Sequence, residues 1–222
     1  MTNLFNKFVG QRFLERTGIA LVAVSVLLLL LTFFPVLQEE VKYQLLPSQS
    51  DKEVVTNRER EERNLLPSRV VVPKNEDFGI VIPKIGANAV VVPDVDWQDA
   101  AVYQQALSKG VAQARGTANP GELGNVFLFS HSGVDFLQAN RYNALFYLID
   151  KLQAGDEIVL FYQKEKFVYH VTEKKVVAPE SLGYLLGDPT KKTLTLMTCF
   201  PAGTTLERLL VIATLDSSTP PL

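Results

Sequence analysis

With 222 residues, 47% of them hydrophobic, and a formal net charge of -2, the chain has material for one good core and an appendage. The near-neutral balance, with no basic stripe interleaved with aromatics, argues against a nucleic-acid partner, and no P-loop, HExxH, CxxC or internal repeat suggests a cofactor or metal site. One cysteine, Cys199, excludes a disulfide within the chain; in an exported protein it is an oxidation liability that a reactive role would explain.

The chain opens with residues 1–16, where Lys7, Arg12 and Arg16 outnumber Glu15. Residues 17–38 follow, 22 without a charge and with a dense apolar centre at 22–31. At about 1.5 Å per residue this length crosses a hydrocarbon layer of about 30 Å. Glu39 and Glu40 come next, so the positive-inside tendency puts the N-terminus in the cytoplasm and everything beyond residue 38 outside. A cleaved signal peptide is the rival, but the exit reads Phe33-Phe34-Pro35-Val36-Leu37 with no small-residue site. The expectation is a retained anchor in the cell membrane, crossing once.

Residues 39–76 are charged and lack sustained apolar periodicity, and read as an extracellular stalk with a helical turn or two at 56–64. From residue 77 the pattern changes to short strands. Residues 78–83 and 89–92 are two of these, punctuated by Pro83 and Pro93. Asp96 caps an expected helix at 97–107 that Gly110 ends. A glycine-containing loop, 115–124, leads to an apolar strand at 125–130 that stops at His131. Residues 137–152 read as a helix burying Leu145, Phe146 and Ile149, then 156–162 and 167–177 as a strand pair, then a helical turn at 180–186.

Residues 192–215 hold the chemistry. Thr193, Thr195, Met197 and Cys199 alternate with Leu194, Leu196 and Thr198, so the cysteine sits at the end of a two-faced strand. A turn with Pro201 and Gly203 follows, and Arg208 opens a second strand running to residue 215. In an antiparallel pair Arg208 falls within about one residue of Cys199. A guanidinium there supplies fixed donors for an oxyanion but no base, and the base has to be one of two histidines. His170 is mid-strand and reads as a hairpin rim residue, while His131 ends a rigid strand beside a Ser-Gly loop, where it is either catalytic or polar punctuation.

Taken together, Ile80-Val81-Ile82-Pro83-Lys84-Ile85-Gly86, the 110–124 loop with Gly116-Thr117-Ala118 and Pro120-Gly121, Gly124-Asn125 before the strand ending in His131, and Thr193-Leu194-Thr195-Leu196-Met197-Thr198-Cys199 followed by Arg208 resemble the sortases over residues 78–215. The resemblance implies a mainly β fold, a closed sortase-like barrel of about eight strands with a few short helices. It would occupy residues 77–217, preceded by one N-terminal transmembrane helix and followed by a tail at 218–222. It also implies a membrane-anchored cysteine transpeptidase with Cys199 as nucleophile, His131 as acid and base, Arg208 as oxyanion stabiliser, and Thr198 as a supporting, substrate-side residue. Its partners would be surface proteins with a C-terminal Leu-Pro-x-Thr-Gly-like sorting signal and an amine acceptor such as a peptidoglycan cross-bridge. Neither cofactor nor metal is carried over.

Two departures matter: Ser130 stands where glycine is common before the histidine, and the stalk has no Asp-Pro-aromatic lid sequence. The second points to surface-protein anchoring over pilin polymerisation. Two other readings remain open at this stage: a hydrolase using the same cysteine, and a non-catalytic tethered barrel in which Cys199 is a small buried hydrophobe.

Overall fold

Short strands of this kind close into a barrel around their apolar inner faces. The computed structural model describes residues 16–30, 40–41, 43–45, 49–131, 145–202 and 204–216. The strands, in chain order, are β1 (Glu53–Val54), β2 (Val70–Val71), β3 (Phe78–Ile82), β4 (Ala87–Val95), β5 (Val111–Ala114), β6 (Gly124–Phe129), β7 (Glu157–Tyr162), β8 (Glu165–Val177), β9 (Lys192–Phe200) and β10 (Glu207–Leu215). Eight of them form a closed barrel in the order β10-β8-β7-β3-β4-β5-β6-β9. Closure removes sheet edges and leaves each strand one inner and one outer face.

The inner faces make the main core. Ile80, Leu128, Leu160, Leu194, Leu196 and Val211 are all at most 1% exposed and belong to one cluster. Local chemistry sets the turns. Gln163 and Lys164 both take positive φ (52° and 70°), the geometry of a tight two-residue hairpin, and Tyr162 pairs with Glu165 across it. Gly86, at φ 65°, closes the 3-10 turn Pro83–Ile85 by donating its N–H to the Pro83 carbonyl.

The chain divides into two compact units, Met1–Leu45 and Leu46–Leu222. In the first, residues 16–30 are helical (α1) and exposed throughout. Residues 31–38 of the expected span lie outside the described residues. Among the described residues no helix is long and apolar enough to cross a membrane.

The expected start of the folded body at residue 77 moves back. β1 and β2 pair in parallel, and Val54 clusters with Val81, Val159 and Phe161 on the outside of β3 and β7. Between them α2 (Asn57–Glu62) is held by a capping box in which Thr56 and Glu59 satisfy each other's backbone N–H groups. Lys166 Nζ donates to the Val54 carbonyl at 2.7 Å, and the Asn57 backbone and side-chain nitrogens donate to Glu76 Oε1 at 2.8 and 2.9 Å. The reason is physical: β3 and β7 carry apolar side chains on both faces, and the outer set needs a cover. Polar composition hid a clasp where a stalk was expected.

Other differences are local. The helix after β4 is α3 (Ala100–Leu107), capped by Asp99, whose carboxylate accepts from the Ala101 and Val102 N–H groups. Asp96 instead accepts from Gln98 N–H and pairs with Arg115 at 3.0 Å. Of the helix expected at 137–152, residues 137–144 lie outside the described residues. The rest forms turns and a 3-10 segment, Ile149–Lys151, that still buries Phe146 and Ile149 completely.

Candidate active site

The site is built on β6, β9 and β10, adjacent in the barrel. The β9–β10 register places Arg208 directly opposite Cys199, with Leu209 opposite Thr198 and Glu207 opposite Phe200. Directly opposed residues put their side chains on one face, with Cβ atoms about 5 Å apart. That face is the outside. Leu194, Leu196, Leu209 and Val211 point into the core, so the residues alternating with them, Cys199 and Arg208 included, point out.

His131 arrives from the other side. β6 runs parallel to β9 with Val126 level with Leu194 and Phe129 level with Met197. The Ser130 N–H then donates to the Met197 carbonyl at 3.2 Å. Two residues past the Phe129 and Met197 pair on each strand stand His131 and Cys199. Phe127 and Phe129 pack in the outer cluster with Met197, so the alternation continued to position 131 faces the same way as Cys199. Across the wall the order is Val177 on β8, Arg208 on β10, Cys199 on β9 and His131 after β6. Neighbouring strands are about 4.8 Å apart, so the Cys199 position lies between that of Arg208 and, where β6 is continued past Phe129, that of His131.

Both Cys199 and His131 are half-buried. The Arg208 guanidinium is folded back on its own turn, with Nη1 donating to the Thr205 and Glu207 carbonyls at 3.2 and 3.0 Å. These are exchangeable surface contacts, and donors elsewhere on the fork remain for an incoming carbonyl. The turn is also closed by Thr204, whose N–H and hydroxyl both reach the Pro201 carbonyl, and it includes a cis Phe200–Pro201 bond.

Thr198, expected as a supporting, substrate-side residue, is 3% exposed, faces away from Cys199, and donates its hydroxyl to the Ser130 carbonyl at 3.0 Å. It ties β9 to the residue preceding His131. Ser130 is 7% exposed at the same junction, so the position tolerates a side chain. His170 is apart from the group: it is level with Glu157 and Thr214 on β8, seven residues before Val177 and roughly 23 Å away along the strand. Its Nε2 stands 3.4 Å from the Asp216 carboxylate, so it is a rim residue as expected.

Among the described residues, no group of three or more histidine, cysteine or acidic side chains is placed to hold a metal ion. One polar residue that carried the resemblance without being given a role is Asn125. It is 2% exposed on the outer face of β6, three rungs from the cysteine row, and bonded on every side. The signal for it was available, since Thr193 and Thr195 put hydroxyls on the outward face of a strand that otherwise carries Met197 and Cys199 there.

A family model described as "Sortase domain" matches residues 80–216. The chain belongs to the sortase family. Sortase D of Bacillus subtilis (strain 168) is 27% identical over 120 residues, 54% of this chain and 52% of that relative. The chain thus spans about half the length of the curated relative it matches. Among solved structures, a Clostridium perfringens sortase C with the C-terminal cell wall sorting motif is 31% identical, with a TM-score of 0.54 over 69% of this chain and 78% of that one. The lid mutant of sortase A from Corynebacterium diphtheriae is 29% identical with the same TM-score, covering 69% of this chain and 76% of that one.

Proposed function

We propose that this sortase is a cysteine transpeptidase that cuts a Leu-Pro-x-Thr-Gly-like sorting signal and joins the new acyl end to an amine. The observation that supports the reading is the cross-strand row, a half-buried thiol paired with an arginine on one side and level with a histidine on the other. Cys199 Sγ, its proton passed to His131, attacks the threonine carbonyl carbon, and the charge that develops on its oxygen is met by Arg208 donors. The carbon–nitrogen bond to glycine breaks as His131 gives its proton to the departing amine, leaving a thioester on Cys199. An acceptor amine then attacks the thioester carbon and His131 takes its proton. A new amide forms and the Cys199 sulfur leaves.

Resemblance supplies the substrate class; the C. perfringens sortase C was solved with a C-terminal cell wall sorting motif. Surface proteins bearing the signal are the donors in this reading, and a peptidoglycan cross-bridge amine is the acceptor. Residues 17–38 hold the chain in the membrane with residues 1–16 in the cytoplasm; the support is the 22-residue uncharged run after a basic segment.

The test uses the full chain in detergent micelles with a quenched Leu-Pro-x-Thr-Gly peptide library, with and without glycine oligomers or diaminopimelate-type amines. Ligated product in the presence of amine is the expected result. Cleavage to the free acid under every amine would make the protein a hydrolase, and an inert Cys199 in a folded chain would make it a non-catalytic barrel.

A further inference from the structure

The connection from β8 to β9 has to travel. It leaves β8 at Val177, level with Arg208 and so with Cys199, and re-enters the wall at Lys192, seven residues below the cysteine. That is roughly 23 Å of strand, and the connection covers it along the outside of the wall. Tyr184 and Leu185 of this connection pack against the outer cluster that includes Phe127 and Phe129, as does Met197, the outward residue just below Cys199. The Tyr184 ring also lies under Lys175 Nζ, 5.3 Å from its centroid. The connection therefore lies on the outer wall beside the rungs that lead up to the thiol, where it would flank a peptide laid along them.

A single amide fixes its course. Asn125 Nδ2 donates to the Tyr184 and Leu185 carbonyls at 2.9 and 3.0 Å, while its Oδ1 accepts from the Thr193 and Thr195 hydroxyls at 3.1 Å each. Both N–H groups and both lone pairs are used, so the side chain is fully satisfied at 2% exposure. All four partners are main-chain carbonyls or hydroxyls, and none ionises. Gly187, at φ +63°, passes so close that an added Cβ would stand 2.8 Å from Asn125 Cβ. The β6–β9 backbone ladder does not depend on these bonds, because its register is carried by main-chain pairing from Gly124 to Phe129.

We propose that Asn125 is a positioning residue that pins the β8–β9 connection against the outer wall and thereby sets the groove an extended substrate peptide enters. The inference rests on the transpeptidase reading above. It separates binding from chemistry: the cysteine row is held by backbone register, the groove side by one buried amide.

Two variants of the full chain in detergent test it, Asn125→Asp and Gly187→Ala, with kcat and KM for a sorting-signal peptide and amide hydrogen exchange at residues 178–191. Asn125→Asp keeps the acceptors for Thr193 and Thr195 but turns a carboxylate toward two carbonyl oxygens. At about pH 8 its KM rises about tenfold, kcat stays within about threefold, and exchange quickens at 178–191 but not in β3 or β7. Burial against carbonyls favours the neutral acid, which regains one donor, so the variant-to-wild-type KM ratio falls toward one between about pH 8 and about pH 5. Gly187→Ala disturbs the same contact from the other partner and raises KM with no such pH dependence; it also stands in if Asn125→Asp does not fold. Unchanged exchange at 178–191, or a loss confined to kcat, overturns the proposal. A wild-type chain that neither cleaves nor ligates any peptide overturns the transpeptidase reading and this inference with it, so the wild-type control separates the two failures.

Discussion

One barrel carries two outer walls that end differently. Outside β3 and β7, Val81, Val159 and Phe161 are at most 1% exposed beneath Val54, and the clasp from Glu53 to Val71 seals them. Outside β6 and β9, the lower rungs are packed in the same way by Phe127 and Phe129, but the top rung is left partly open and holds His131, Cys199 and Arg208. The inner faces of both walls belong to one core. The contrast teaches that covering, not strand chemistry, separates structural from functional face here: reactive side chains stand where packing stops.

If the contrast is right, changes on the open rung remove activity and spare the fold, while changes under the clasp do the reverse. The largest expected effect is Cys199→Ala, which lowers peptide cleavage at least about a thousandfold and shifts stability by less than about 0.5 kcal/mol, read by product mass and thermal unfolding. Arg208→Lys keeps the charge but loses the planar fork and lowers kcat about a hundredfold with little change in KM, as steady-state kinetics with the same peptide will report.

The shared core gives a test that belongs to neither wall. Tyr169 is 1% exposed, and burial pushes its hydroxyl up to about 12, opposed by a backbone hydrogen bond from Gly121. The native state keeps the neutral form where an unfolded tyrosine ionises, near pH 10. Stability is therefore full below about pH 10 and falls by up to about 3 kcal/mol as pH rises through about 12, in denaturant titrations that Tyr169→Phe flattens.

Beneath the clasp, Val54→Ala costs about 2 kcal/mol in thermal unfolding and leaves kcat/KM unchanged at temperatures where the chain is folded. Smallest is the clasp's own ion pair. Arg63 reaches both carboxylate oxygens of Glu53, at 2.6 and 3.1 Å, and its hydrogen bond holds that carboxyl below the usual range. The pair's contribution is present above the unfolded carboxyl value of about 4.3 and is lost as pH falls through the lower native value. Both side chains are about half exposed, so the amount is below about 1 kcal/mol; Arg63→Gln should remove that acid-side slope from chemical unfolding curves.

Much of the site was legible because its signals are local. The alternation through residues 192–199 placed Cys199 at a strand end, and the turn at 201–206 placed Arg208 opposite within one residue; the barrel sharpened that to a direct pair. His131 was harder, since β6 and β9 pair in parallel across more than sixty residues of sequence and no local pattern states their register. The four-residue β5 was unread because Gln113 interrupts its apolar character; inside the fold that side chain is 3% exposed and donates to the Ala118 carbonyl at 2.9 Å. The clasp was read as a stalk because its strands have two residues each and the segment between them is charged. Asn125 was part of the resemblance but its role went unread for a related reason, as a buried amide shows itself only through partners brought from β9 and the β8–β9 connection.

The most direct measurement is rapid-quench intact-mass spectrometry of the full chain with a Leu-Pro-x-Thr-Gly peptide and no amine, followed by fragment mapping. The expected result is a single acyl adduct on Cys199 that disappears on adding a glycine oligomer, builds up more slowly in Arg208→Lys, and is absent in Cys199→Ala. Peptide cleavage that proceeds in Cys199→Ala, or an adduct mapped to any other residue, would contradict the row of His131, Cys199 and Arg208 as the reaction centre.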